Sequence, residues 1–196
     1  MCYNNLVWIF VCSFEYTNVI TSEEESVMRI IGIDPGYAIV GYGVIDYIGG
    51  KFRVLEYGAI TTSKDTPFEK RLCEIHEDYS FILDKWKPDA LAIERLYFNT
   101  NQKTAIDVAQ ARGIIVMDTA SRDIPINEYT PLQVKQAVVG YGKAVKKQVQ
   151  EMITRILGLS AVPKPDDTAD ALAMAICHAH CSGSLLSNIN QINRSR

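Results

Sequence analysis

Four acidic residues occupy positions in this sequence where a carboxylate is energetically costly. Asp34 ends the apolar run IIGID, Glu94 ends the run ALAIE, and Asp167 and Asp170 open the alanine-rich segment DTADALAMAI. A carboxylate in apolar surroundings is destabilising unless it is paired, protonated or bound to a metal ion. Mg²⁺ prefers oxygen ligands, and two such ions can promote attack of water on a phosphodiester. The pattern predicts that the four acids gather at one end of a sheet and bind divalent metal.

Each acid also has an ordinary structural interpretation. Taken alone, Asp167 is typical of a first-turn acid that complements a helix dipole, and Asp170 of a capping residue. Glu94 could pair with the arginine that follows it. Asp34 is harder to explain in this way, because it follows a buried-type run and precedes a Pro-Gly pair. If the acids do gather, they repel one another without metal, so neutralising one is predicted to stabilise the metal-free fold.

Hydrophobic patterns predict the elements that would position these acids. β-Branched and aromatic residues favour strands, and Gly49 and Gly50 suit a hairpin turn between two of them. Apolar residues at helical spacing follow a start signal at Pro67 and end before Pro88. The order predicts an α/β fold in which a mixed five-stranded sheet is flanked by helices. The predicted strands are 28–34, 39–47, 51–62, 89–94 and 124–129, and the later helices are 104–121, 131–139, 143–157 and 167–180.

The domain organisation is predicted to be a single folded unit at residues 28–181. Residues 1–27 are expected to be an extension outside the fold, because their apolar stretch is too short to span a bilayer and lacks signal-peptide features. Residues 182–196 are polar and are predicted to form a C-terminal tail. The five cysteines show no spacing typical of a disulfide scaffold, so we expect reduced thiols and a cytoplasmic protein with no membrane partner.

Positive charge is concentrated in one stretch of a chain that is slightly acidic overall. The chain has 20 Lys and Arg against 23 Asp and Glu, yet four of the acids and no basic residue fall within residues 1–27. Local charge matters more than net charge for binding phosphates. The concentration predicts a nucleic-acid contact, with a solvated helix face as the alternative. Between residues 133 and 156 only Glu151 is acidic, and the basic residues are Lys135, Lys143, Lys146, Lys147 and Arg155.

Two consecutive aromatic residues follow the predicted strand that ends at Glu94. Tyr97 and Phe98 either join the core or present a ring to stacked bases. The sequence pattern leaves both alternatives open.

Several ordered motifs resemble the RuvC family of bacterial Holliday junction resolvases. The resemblance covers about residues 28–180, and a set of motifs in a consistent order is more specific than any one of them. Residues 1–27 have no counterpart in the family. The motifs are IGIDPG ending at Gly36, AIERLYFN at 92–99, QARG at 110–113, QVKQAVVGYGKAVKKQVQ at 133–150 and DDTADALAMAICH at 166–178.

The resemblance implies a ribonuclease H-like fold, a homodimer and Mg²⁺-dependent paired nicks in four-way DNA junctions. Two Mg²⁺ ions per active site are expected, with Mn²⁺ as a substitute, and the branch-migration proteins RuvA and RuvB are the expected partners. By position in the motifs, Lys135 and Lys146 match residues that approach DNA, and Tyr97 or Phe98 matches an aromatic wedge. The family's catalytic and metal-binding acids match Asp34, Glu94, Asp167 and Asp170.

Two other functions remain as alternatives at this point. An actin-like sugar or acetate kinase would also use an Asp-x-Gly hairpin at Asp34 to hold phosphate, but such kinases need two domains of this kind. A junction-binding protein without catalysis would be expected to lack one of the four acids, and all four are present. The nuclease is therefore the favoured interpretation.

Overall fold

The computed structural model describes residues 26–95 and 102–194, without the side chains of 102–104 and 183–194. These residues contain five strands and five helices, in an order close to the predicted one. The strands are β1 (Val27–Asp34), β2 (Ile39–Ile48), β3 (Lys51–Thr61), β4 (Ala90–Glu94) and β5 (Ile126–Tyr129). The helices are α1 (Phe68–Trp86), α2 (Gln102–Ala120), α3 (Pro131–Val139), α4 (Lys146–Ile156) and α5 (Asp166–Arg194).

The strands form one mixed sheet in the order β3-β2-β1-β4-β5. The first three strands are an antiparallel meander, whereas β4 pairs parallel with both β1 and β5. The predicted mixed five-stranded α/β fold is thus confirmed. In the parallel pair, Ile33 of β1 lies opposite Ile93 of β4. Because parallel strands end at the same edge of a sheet, the next residues, Asp34 and Glu94, emerge side by side.

Helices cover both faces of the sheet, and alternate strand residues point to opposite sides. Ile30 of β1 packs in a cluster that includes Leu172 of α5 and Ile153 of α4. The next residue, Ile31, packs in a second cluster with Tyr79 of α1 and Ile115 of α2. The α3–α4–α5 side therefore forms one core layer and the α1–α2 side the other.

Helix α5 lies directly on β1 and β2 because glycines leave room for its backbone. An ideal Cβ on Gly41 would be 2.1 Å from the carbonyl oxygen of Asp167, and one on Gly32 would be 2.0 Å from that of Ala171. The hydroxyl of Thr168 also donates a hydrogen bond to the carbonyl of Gly58, at 3.0 Å. These contacts fix the first turn of α5 against the sheet beside the ends of β1 and β4.

Some element boundaries differ from the predicted ones. Helix α4 starts at Lys146 instead of residue 143, because the chain turns through residues 140–145 after Gly140 adopts a φ of 90°. Helix α5 continues to Arg194, past the end predicted near residue 180 and through most of the predicted tail. The polar composition of that segment does not stop a helix, and no proline follows residue 165. No helix in the described parts of the chain is long and apolar enough to cross a membrane.

Candidate active site

A cleft of about 260 Å³ opens at the edge where β1 and β4 end. Asp34 and Glu94 enter it from the two strand ends, and Asp170 enters it from α5. Helices α3 and α4 supply two ammonium groups, Lys135 and Lys146. The remaining wall is formed by Pro131, Val134, Val149, Ala173 and Met174. Three of the four predicted acids and two of the predicted lysines therefore share one concave site.

The fourth predicted acid, Asp167, lies beside the cleft without lining it. Its carbonyl oxygen faces Gly41 of β2, which places the residue at the start of α5 next to the sheet edge. Its negative charge nevertheless contributes to raising the pKa of Asp34. Asp167 thus affects the site through its charge, although it does not line the cleft.

The environment of Asp34 disfavours its ionised form. The pKa of Asp34 is raised to about 7, and burial of the carboxylate is the largest cause. Three neighbouring carboxylates add to the effect in the order Asp170, Glu94 and Asp167, whereas the ammonium of Lys146 opposes it. Burial also raises the pKa of Glu94, and the charge of Asp170 is the second cause. Burial therefore affects Asp34 more strongly than any one neighbouring carboxylate does.

An ion-pair chain connects the cleft to residues that the sequence did not single out. The ammonium of Lys146 donates to Asp170 at 3.1 Å and lies 3.4 Å from a carboxylate oxygen of Asp166. Lys164 pairs with the other side of Asp166 at 2.7 Å. Burial lowers the pKa of Lys146, but its bonds with the two acids outweigh this and raise the pKa overall. The doubled Asp at 166–167 was the available signal for this contact.

The structure also decides two of the structural alternatives. The guanidinium of Arg95 lies 3.8 Å from Glu128 of β5, a residue that also pairs with Arg112 of α2. Arg95 is therefore paired away from Glu94, whose carboxylate lines the cleft. Asp170 lies in the second turn of α5 and bonds with Lys146, so it does not cap the helix.

The predicted DNA-binding residues fall into three groups. Lys135 and Lys146 line the cleft. Lys143 is exposed in the turn before α4, and Lys147 is exposed on α4, 3.9 Å from Glu151. Tyr97 and Phe98 lie outside the described residues. Within the described chain, positive charge therefore borders the acids on the α3–α4 side.

The donor chemistry of the cleft suits a hard cation, since its acidic side chains offer only oxygen. Whether these side chains are also positioned to bind a metal ion is a separate question. In the described residues, no group of three or more His, Cys, Asp or Glu side chains is arranged to hold a metal ion. One carboxylate oxygen of Asp170 accepts a hydrogen bond from Lys146 at 3.1 Å. The residues fit Mg²⁺ by chemistry, and the second carboxylate oxygen of Asp170 is not bonded to Lys146.

Replacing Asp34 with asparagine is expected to stabilise the metal-free protein, and increasingly so at higher pH. Because the folded-state pKa of about 7 lies above the ordinary 3.8, the stabilising effect of the protonated carboxyl is lost as the pH rises through about 7. Asparagine avoids this loss of a few kcal/mol, since one pKa unit is worth about 1.4 kcal/mol. Thermal midpoints of both proteins in chelator, from about pH 5 to about pH 8, test this. A midpoint difference that does not grow with pH would contradict it.

Comparison with known proteins gives consistent matches over most of the chain. A family model described as crossover junction endodeoxyribonuclease RuvC matches residues 30–178. The protein of that name from Ruminiclostridium cellulolyticum is 55% identical over 163 residues, which are 82% of this chain and 98% of that protein. The structure of Thermus thermophilus RuvC in complex with Holliday junction substrate is 36% identical, with a TM-score of 0.76 over 79% of this chain and 94% of that one. The yeast mitochondrial Holliday junction resolvase Ydc2, at 14% identity and a TM-score of 0.62 over 89% of each chain, shares the fold.

Proposed function

Since the chain belongs to the RuvC family and is a crossover junction endodeoxyribonuclease, we propose that it resolves four-way DNA junctions during recombination and repair. Water hydrolyses one phosphodiester in each of two strands of like polarity, in symmetric paired nicks. The products carry 5′-phosphate and 3′-hydroxyl ends that can be ligated. The Thermus thermophilus relative, solved with Holliday junction substrate, supports this choice of substrate.

The observation that carries the proposal is the juxtaposition of acids and lysines in one cleft. Asp34, Glu94 and Asp170 form an electronegative floor, while Lys135 and Lys146 provide positive charge on the α3–α4 side. A polyanion approaches such a floor only if cations compensate the negative charges. The lysines offer part of that compensation at the place where a phosphate would enter.

Nucleases of this family depend on divalent metal, and we assign Mg²⁺ as the metal, with two ions per site and Mn²⁺ as a substitute. Asp34, Glu94, Asp170 and Asp167 would together hold the ions. Bound metal would supply Lewis-acid stabilisation of the phosphodiester and activation of water. The pKa of Asp34, raised to about 7, predicts that its affinity for metal increases as the pH rises, because the ionised carboxylate is the ligand.

The protein's own residues have the tasks of attracting and orienting the strand. The ammonium groups of Lys135 and Lys146 would bind phosphate oxygens at the cleft, and Lys143 and Lys147 would bind the neighbouring backbone. Lys146 has a second task, because its ammonium also donates to Asp170, one of the acids proposed to hold metal. Tyr97 or Phe98 would act as a wedge at the junction centre.

The assembly that we propose is a homodimer in the cytoplasm. A two-fold dimer supplies two cleavage sites related by the symmetry of the junction, which paired nicks require. RuvA and RuvB are proposed as partners that move the junction, on the basis of family membership alone.

The wild-type protein is expected to nick an end-labelled synthetic four-way junction at paired positions in Mg²⁺, and to leave a linear duplex of the same sequence intact. Chelator should stop the reaction without abolishing junction binding, because the lysines bind phosphate without metal. Religation of the products by a DNA ligase tests the proposed end chemistry. Cutting of the duplex at a similar rate, or full activity in chelator, would refute the proposal.

A further inference from the structure

The turn between α3 and α4, the two helices that carry the cleft residues Lys135 and Lys146, presents apolar side chains to solvent. Tyr141 is 46% exposed and Val145 is 61% exposed at the two ends of this turn, residues 140–145. Leu132, in the first turn of α3, is 56% exposed. Single exposed apolar residues are ordinary on a protein surface, whereas three large ones around one turn indicate a contact surface.

The turn is held in place, so the exposure of Tyr141 is not the result of a loose loop. The backbone N–H of Gly140 donates to the carbonyl of Gln136 at 2.9 Å, and Ala144 is buried. Gly142 packs so closely on α3 that an ideal Cβ would be 2.1 Å from Cδ1 of Leu132. The N–H of Val145 donates to the side-chain oxygen of Gln148 at 3.0 Å. A fixed turn of this kind presents an aromatic ring without a large loss of conformational entropy on binding.

The charge around the turn identifies the kind of partner. Residues 130–150 contain four lysines and no acid. Two of the lysines, Lys135 and Lys146, line the active-site cleft, and they come from the helices on either side of the turn. An anionic partner that also offers flat apolar surfaces is nucleic acid with unstacked bases. Lys146 is paired with Asp166 and Asp170, and Lys147 lies 3.9 Å from Glu151. The charge that remains for such a partner therefore comes mainly from Lys135 and Lys143.

A groove next to the turn has room for such a surface. It has a volume of about 250 Å³, and Tyr141 forms one wall together with Met152 and Arg155 of α4. Met152 offers apolar contact, and the guanidinium of Arg155 can stack on a base or bind a phosphate. Glu151 also lines the groove. The parts that match a nucleotide are therefore the apolar side at Tyr141 and Met152 and the guanidinium of Arg155.

We propose that Tyr141 stacks on a nucleobase of the DNA strand whose phosphate enters the cleft, and that this contact contributes to the choice of cleavage sequence. The inference rests on the proposed junction-cleaving function and adds a base contact to a site otherwise built for phosphates. Phosphate contacts position a strand, whereas contacts with bases carry sequence information. The phenol hydroxyl is not required for stacking, so phenylalanine should serve in place of tyrosine.

The test uses full-length protein and four-way junctions in which 2-aminopurine replaces single bases near the junction centre. Tyr141→Ala is expected to bind the junction roughly tenfold more weakly, to lose 2-aminopurine quenching at one position and to spread cleavage over more sequences. Tyr141→Phe should retain all three properties. Tyr57→Ala is the matched control, because Tyr57 is 40% exposed on β3 and lines neither the cleft nor the groove that contains Tyr141.

The outcomes separate this inference from the proposed function. If the wild type does not cut junctions, the proposed function fails. Quenching of 2-aminopurine by Tyr141 can still be measured in that case, because it requires binding and not cleavage. If the wild type cuts and Tyr141→Ala matches it in quenching, affinity and cleavage pattern, the stacking contact is refuted. An equal loss of binding to linear duplex would also refute it, since paired bases offer no free face for stacking.

Discussion

Replacing Asp34 with asparagine is expected to lower the rate of junction cleavage about a thousandfold. Metal ions contribute several kcal/mol of transition-state stabilisation, and each 1.4 kcal/mol corresponds to about a factor of ten in rate. Asparagine keeps the shape of the side chain but removes the charge that we assign to metal binding. Asp34 is the acid most affected by the others, because Asp170, Glu94 and Asp167 all act on its pKa. Single-turnover cleavage of labelled junctions at saturating Mg²⁺ measures the effect.

The variant should still bind the junction, since the lysines that attract phosphate are unchanged. The control is Asp123→Asn, which makes the same chemical change at an exposed residue with a φ of 55°. Asparagine tolerates this left-handed conformation, so the control should fold and cut normally. Cleavage by Asp34→Asn within tenfold of wild type would show that Asp34 is not an essential ligand. Equal losses in both variants would point to a general effect of removing a carboxylate.

Replacing Gly32 with alanine is expected to lower the free energy of unfolding by about 3 kcal/mol, because overpacking a core usually costs 1–3 kcal/mol and occasionally more. An ideal Cβ at this position would lie 2.0 Å from the carbonyl oxygen of Ala171 and 2.8 Å from the amide nitrogen of Ala175. Both atoms belong to the backbone of α5, so no side-chain rotation can relieve the contact. The helix that carries Asp170 would have to move away from the sheet. Urea denaturation gives the loss of stability, and junction cleavage reports the displacement of the acid.

Gly113→Ala is the matched control for this substitution. Gly113 lies within α2, and a Cβ there would meet no atom within 4 Å. Alanine should therefore stabilise the protein by roughly 0.5–1 kcal/mol, since glycine is unfavourable inside a helix. The same change of residue type is thus expected to have opposite effects at the two sites. Similar urea midpoints for the two variants would contradict the close packing of α5 on β1.

The type and order of the elements were largely predictable from local sequence. β-Branched and aromatic residues at 28–34 and 39–47 correspond to β1 and β2, and the helix predicted at 131–139 corresponds to α3. In that helix Thr130 accepts from the N–H of Gln133, and the side chain of Gln133 accepts from the N–H of Thr130. Such features involve residues that are close together in the chain, so they can be recognised in a single sequence. The end of α5 was not predictable, because polar composition alone does not decide between helix and coil.

The sequence by itself determined which acids could form a site, because carboxylates at the ends of apolar runs are costly without a partner. Only the tertiary structure decided which of them share the cleft. The parallel pairing of β1 with β4 brings Asp34 beside Glu94, although 60 positions separate them in the sequence. The contact of α5 with glycines in β1 and β2 then adds Asp170 and leaves Asp167 at the border. Such contacts depend on strand register and on backbone packing between distant segments, which local patterns of residue type do not specify.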